Sequence, residues 1–546
     1  MNIKKVEALK REGRYQEALK FYLEHAKSNP KDILGWKGVG FCLQKLEKYS
    51  EAIKYYDTAS HISPSDIEIW FNKGLCLGMT GAFKDSIECY NNLLKYDQYN
   101  NNAWINKGVC LAMLQQHEDA LECYDKVIQR DQKNYLIWYN KGCSLYRLQQ
   151  YPEALECYNK AIVIEQKDSK VWYNRGLALN VLGKHKDAIE SFDKVIEMSS
   201  RDYMALFNKG KILVTLKSYQ EAITCFNQSM SIKADNPNIL FQKGKILATL
   251  HRHEEAAFCF EQALRISPDN YKMWYERGAA LIILKKYNEA IKSFDNAIKY
   301  SFNQDTKSWL EKIRCFINLG SLEQALKTCE EAMEANINEP KLYYEKAIVL
   351  EKLKNYSQAV ENYDIYLKSF PKDEDTILIK AYCLQLSGKY KEAIDNYNIV
   401  LGTDVVLPDI MTPEKVAMYT KWLPLKASCL INNKSYDDAL KTIDVVISLM
   451  LKTDVVSDAR IWITKGNALF WQGRYEDALK SYNLALSLNK NNIEALYQKG
   501  CSLLTLDKVK EALECFNAIL AIDVENIEAI KKREYCLQLV GEDNTR

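Results

Sequence analysis

The stretch Tyr135–Asp168 reads YLIWYNKGCSLYRLQQYPEALECYNKAIVIEQKD. Numbered as places 1 to 34, it puts Trp138 at place 4, Gly142 at 8, Leu145 at 11, Ala154 at 20, Tyr158 at 24 and Ala161 at 27. Residues three or four apart share one face of a helix, so places 4, 8 and 11 line a first helix, A. Places 20, 24 and 27 line a second helix, B. The same residue types return at the same spacing on both sides of this stretch. A fixed period of this kind marks stacked helix–turn–helix units, each too small to bury its apolar faces alone. The expected fold class is therefore all-α, an α-solenoid.

Upstream lie 33–66, 67–100 and 101–134, and downstream 169–202, 203–236, 237–270 and 271–304. Repeat 1, with Leu9, Ala18 and Tyr22 at places 11, 20 and 24, completes nine in-register repeats over 1–304. One extra residue near Asp305 opens a less regular stretch, 305–407, holding repeats 10 to 12. There Ile313, Ala347 and Ala381 replace the glycine at place 8. An insertion, Pro408–Tyr419, and an atypical repeat 13 fill 408–458. Thr412-Pro413-Glu414 reads as an N-cap, an N1 proline and an acidic first turn. Helix A of repeat 13 is thus expected to start near Pro413 and to kink at Pro424. The segment Gly402–Pro424 is expected to leave the solenoid surface and to offer a docking point. Repeats 14 and 15 resume over 459–526, and 527–546 supplies a capping helix and tail.

Small residues at places 8 and 20 should let the two helices of a repeat approach closely, Ala against Gly. Lys or Arg at place 7 recurs opposite Asp, Asn or Glu at place 25. Staples within single repeats are expected from this, such as Lys107–Asp125, Arg175–Asp193 and Arg277–Asp295.

The string W-x-N-K-G-x-x-L…Y-x-E-A-(I/L)-x-x-(Y/F)-(D/N) stands in full in several repeats. By these residues the chain resembles the tetratricopeptide repeat family over nearly its whole length. The resemblance implies a right-handed superhelix whose A helices line a concave groove, and a mostly non-enzymatic membership of adaptors and scaffold subunits. Adaptors that grip a C-terminal carboxylate combine Lys at place 5 with Asn at 9. Here Lys37 is followed by Phe41, so that clamp is absent.

The bulk composition excludes other classes. There are 74 basic and 72 acidic residues, a net charge of +2, with no footprint for nucleic acid or an anionic membrane. No apolar run reaches the roughly 20 residues of a membrane span. The opening MNIKKVEALK reads as a charged helix and not as a signal peptide. Of 16 cysteines, most fall at places 10 and 23, among them Cys42, Cys76, Cys89 and Cys123. No C-x-x-C occurs, so they read as packing thiols in a reducing, cytoplasmic setting. Neither a metal nor a cofactor is expected, since no HExxH, G-x-S-x-G or phosphate-binding glycine loop is present. The chain reads as non-enzymatic.

The candidate binding residues sit at two neighbouring places. Asn72, Asn106, Asn140, Asn174 and Asn208 hold place 6 in five consecutive repeats. Tyr139, Tyr173, Phe207, Phe241 and Tyr275 hold place 5. An asparagine carboxamide carries a donor and an acceptor, so it can pair with a peptide N–H and C=O together. In this the chain is similar to the asparagine-lined superhelix of protein O-GlcNAc transferases, without their catalytic domain. Asn is also common at this place in the family whatever the ligand. The leading expectation is an adaptor holding an extended peptide, with selectivity left to Tyr139, Lys170, Lys211 and Lys245. The alternative is a scaffold subunit bound through its convex face, its ends or its irregular repeats. An end of the array is also available for self-association, and single-stranded RNA in the groove is a third reading.

Overall fold

The computed structural model describes residues 3–335, 337, 339–403, 412–453 and 458–543. Among the described residues there are 31 helices and no strand. They group into two compact units, Met1–Pro268 and Asp269–Arg546.

Within each unit, helix A takes places 1–13 and helix B most often places 17–30, as in Tyr135–Arg147 and Tyr151–Ile164. The starts and turns have local causes. Place 34 is Asp or Asn in most repeats, and its side chain accepts an orphan N–H of the next helix A. Asp66 accepts from the Glu68 N–H at 2.9 Å, and Asp202 from the Ala205 N–H at 2.9 Å. The turn between A and B puts place 15 in the left-handed region: Gly81 has φ 80°, Gly183 73° and Gln149 62°. That backbone costs an L-residue roughly 1–2 kcal/mol, which accounts for the glycines found at this place. The tryptophan at place 4 fastens the preceding link. Trp70 Nε1 donates to the Pro64 carbonyl at 2.7 Å, and Trp138 Nε1 to that of Gln132 at 3.0 Å.

The close approach inside a repeat is not the expected Ala–Gly contact. A Cβ placed on Gly142 would meet the Tyr158 ring at 2.7–3.2 Å, and one on Gly210 the Phe226 ring at 2.7–3.0 Å. Antiparallel helices joined by a turn near place 16 set place 8 opposite place 24, and place 20 nearer place 12. The glycine makes room for the aromatic ring, while Ala154 is buried elsewhere on the same face. Among the exceptions, Ala347 and Ala381 keep a buried tyrosine at place 24, Tyr363 and Tyr397, whereas two others shift the bulk. In repeat 10 the bulk moves across, with Ile313 at place 8 and Cys329 at place 24, both fully buried. In repeat 1 Val6 fills place 8, and the Tyr22 ring lies over Gly38 of the next repeat.

The expected staples are corrected too. The acid at place 25 is taken by the cation of the following repeat: Asp193 by Lys209 at 2.6 Å, Asp295 by Lys312 at 2.8 Å, and Asp125 by Lys141. Lys73–Asp57 and Lys380–Asp364, both 2.6 Å, repeat the arrangement. Arg175 spans both sides, donating to Asn159 Oδ1 of the preceding repeat and to Ser191 Oγ of its own, at 2.8 and 2.6 Å. Helix A of one repeat nests against helix B of the one before, so place 25 is 16 residues behind its partner. These links join repeats and do not close them.

The thiols behave as packing groups. Burial pushes Cys42 up to about 11 and Cys76 to about 12, and all 16 cysteines are free.

In the second unit, helix A of repeat 13 runs from Pro413 to Asn432 with Pro424 inside it, and Thr412 caps it by accepting the Lys415 N–H at 3.4 Å. Of the expected departure of Gly402–Pro424, residues 404–411 lie outside the described residues, as do 454–457, while from Pro413 onward the segment is helix, with Trp422 and Leu423 buried. Lys426, at place 7, is buried, and its ammonium donates to the Gly402 carbonyl at 2.6 Å. A cation there answers the free carbonyls of a helix C-terminus. The last helix, Ile527–Asp543, buries Ala529 and Cys536. Among the described residues no helix is long and apolar enough to cross a membrane.

Candidate functional site

Places 5 and 6 follow each other on helix A, and the structure ties them together between repeats. Each aromatic at place 5 leans on the place-24 ring of its own repeat. Tyr139 lies 6.4 Å from Tyr158, Tyr173 5.6 Å from Phe192, Phe207 5.8 Å from Phe226, and Phe241 5.8 Å from Phe260. Tilted and edge-on pairs of this kind fix the ring orientation. The rings stay half-buried, with one edge in solvent.

The asparagine of the next repeat then reaches back. Asn174 Nδ2 donates to the Tyr139 hydroxyl at 3.0 Å, and Asn208 Nδ2 to the Tyr173 hydroxyl at 2.8 Å. Burial pushes both phenols upward, so they stay protonated at neutral pH. A phenol that accepts from the carboxamide still has its own O–H to give, and the carboxamide oxygen is still an acceptor. The pair therefore presents a donor and an acceptor, held in place by the tether. Asn106 and Asn140 follow Phe71 and Ile105, which have no hydroxyl to offer.

Around one tether the surface sinks into a cleft of about 530 Å³. Tyr139, Tyr173 and Asn174 line it, together with Lys170, Arg201 and Tyr203. The structure thus brings four expected residues, Lys170 among them, into one depression. Asn208 adjoins it through Tyr173. Asn72, Asn106 and Asn140 are half-buried on earlier A helices and do not line it. Phe207 and Phe241 continue the face, with the ammonium groups of Lys211 and Lys245 5.7 and 5.8 Å from their ring centres. Tyr275 packs on Phe294 at 6.0 Å and lies in the second unit. Arg201 was not legible as a site residue because it sits in the link between repeats, and Tyr203 because it opens helix A at place 1, outside the places that carried the pattern. Among the described residues no group of His, Cys, Asp or Glu is arranged to hold a metal ion.

Models of the tetratricopeptide repeat match residues 102–134, 135–168, 169–202, 205–236, 237–270, 271–304, 459–492 and 493–525. The chain is a tetratricopeptide repeat protein. No curated protein matches it. Among solved structures, PilF of Pseudomonas aeruginosa is 20% identical, covering 37% of this chain and 92% of its own, with a TM-score of 0.34. YrrB, described as a TPR protein with an unusual peptide-binding site, is 19% identical over 34% of this chain and 97% of its own, with a TM-score of 0.31. The structure of Naa15/Naa10 bound to HypK-THB gives 13% identity, 99% and 96% coverage and a TM-score of 0.35. These likenesses concern the helical-repeat fold. Tetratricopeptide repeats across the chain support a role in protein interaction.

Proposed function

We propose that this tetratricopeptide repeat protein is a non-enzymatic adaptor. It holds an extended segment of a partner protein along the A-helix face of its first unit. The carrying observation is the tethered pair of Tyr139 and Asn174 at the cleft, which offers a positioned donor and acceptor to a passing backbone. One neutral hydrogen bond yields only about 0.5–1.5 kcal/mol net, so several rungs must act together. Replacing Asn72, Asn106, Asn140, Asn174 and Asn208 together by Ala should remove the partner captured from native cells, with helicity by circular dichroism unchanged. Retention of every partner by the five-fold variant would refute the groove. Cross-linking mass spectrometry on the captured complex then shows which surface the partner touches.

A second reading, a scaffold subunit, is favoured by a different feature. A cleft of about 510 Å³ opens beside Pro424, lined by Lys421, Leu425 and Met450 among others. Cross-links confined to that part of the second unit would support it.

A further inference from the structure

The near-neutral total charge conceals an unbalanced patch. Most place-7 cations are matched by an acid of the preceding repeat, as Lys209 is by Asp193. The A-helix face of repeats 6 to 8 is different. Lys170 at place 2, Arg201 in the link, and Lys211 and Lys245 at place 9 form no ion pair among the described residues. Of the residues lining the cleft, only Asp202 is acidic, and its carboxylate already accepts the Ala205 N–H. Place 6 on this stretch is uncharged, as Asn174, Asn208 and Gln242. Four cations thus surround a row of amides and aromatic edges, with Asp202 the one carboxylate lining the cleft.

We propose that the segment held here is acidic: an extended peptide whose Asp or Glu side chains pair with Lys170, Arg201, Lys211 and Lys245. This rests on the reading of the A-helix face as a peptide groove. The tethered carboxamides take the backbone, and the cations select the side chains. Cations at the edge of a binding face steer and select more than they add to affinity. A nucleic acid would supply anions too, but it needs free ring faces on which bases can stack. Here the place-5 rings are packed on their place-24 partners, and Lys211 and Lys245 stand over Phe207 and Phe241.

The test uses the full chain and three fluorescent probes of equal length. One is a Glu/Asp-rich 12-residue peptide, the second its Gln/Asn counterpart, and the third a 12-nucleotide oligouridine. The acidic peptide should bind at least tenfold more tightly than the neutral one, and that preference should collapse as salt rises to about 0.5 M. The charge-reversed variant K170E/R201E/K211E/K245E should lose the acidic peptide by at least 30-fold and gain affinity for a Lys-rich peptide. That gain shows that the variant is folded. Equal binding of acidic and neutral peptides, both lost in the five-fold Asn variant, would overturn the acidic preference and leave the groove standing. No binding of either peptide would overturn both. Tighter binding of oligouridine than of the acidic peptide would overturn the proposal in favour of RNA.

Discussion

Repeats 5 to 8 and repeats 10 and 11 are written on the same places and end with opposite chemistry. In the first group the cation at place 9, Lys211, has uncharged place-6 residues in its own repeat and the next, Asn208 and Gln242. In the second, Arg314 at place 9 donates to Glu345 at 2.7 Å and to Glu311 at 2.8 Å, both at place 6. The core differs in parallel: glycine under an aromatic ring in one group, Ile313 beside Cys329 in the other. A solenoid unit is therefore two independent designs, a packing register that must conserve volume and a face whose charge is free to be spent outward or inward.

The strongest way to break this comparison is to move the bulk of repeat 10 into repeat 5. Gly142→Ile should clash with the Tyr158 ring and cost about 3 kcal/mol in chemical denaturation, the upper part of the overpacking range. The double variant G142I/Y158C copies Ile313/Cys329 and should recover at least half of that loss. Losses that simply add would show that places 8 and 24 do not share one volume.

The next effect is electrostatic. Glu345 is only 3% exposed. Removing one partner of a buried pair costs about 3–5 kcal/mol. Arg314 is half exposed, so water recovers part of this, and Arg314→Met should cost about 2 kcal/mol at neutral pH. Burial already holds the Glu345 carboxyl above its ordinary value, against the pull of Arg314. A carboxyl raised in the folded state carries no penalty below its unfolded value, near 4.3. The penalty grows as pH rises through the folded value. Arg314→Met lifts that folded value further, so the deficit should be smallest at about pH 4.5 and largest at about pH 7.5. Melting curves with equal deficits at both would uncouple the pair.

Smaller effects sharpen the face. Tyr139→Phe removes the acceptor of Asn174 and should cost about 1 kcal/mol. The same change at Tyr275, whose successor at place 6 is Glu311, should cost less. Lys209→Met breaks the link to Asp193 and should cost about 0–1 kcal/mol, vanishing in high salt. A larger loss would mean that links between repeats matter more than surface pairs usually do.

The helices, their order, the early start at Pro413 and the cysteine places were legible because each follows from a local pattern of period 34. The contacts were harder. A strict repeat makes place 25 of one unit indistinguishable in sequence from place 25 of the unit before. Asp125 was therefore assigned to Lys107, although the stacking gives it to Lys141. Likewise Gly142 announces a close approach but not its partner, which depends on where the turn sets the two helices in register. At the candidate site, Asn174 and Tyr139 stood out by recurrence. Arg201 did not, since it belongs to the link, and Tyr203 did not, since place 1, where Tyr135 and Tyr271 also stand, carries no polar pattern of its own.

The seams between repeats carry different numbers of rivets, and this decides how the chain bears load. Between repeats 6 and 7, Lys209 and Asp193 pin one unit to the next. Between repeats 7 and 8, Asn227 stands where the acid would be. Lys243 there borders an open crevice of about 520 Å³ with Met230, Leu240 and the exposed Phe258. The seam between repeats 3 and 4, with Asn91 opposite Lys107, lacks the acid in the same way, so these two seams should yield first under tension along the first unit. A molecule that looks uniform by its period is, mechanically, a row of segments of unequal strength, with its crevice set at a seam that lacks the ionic fastening.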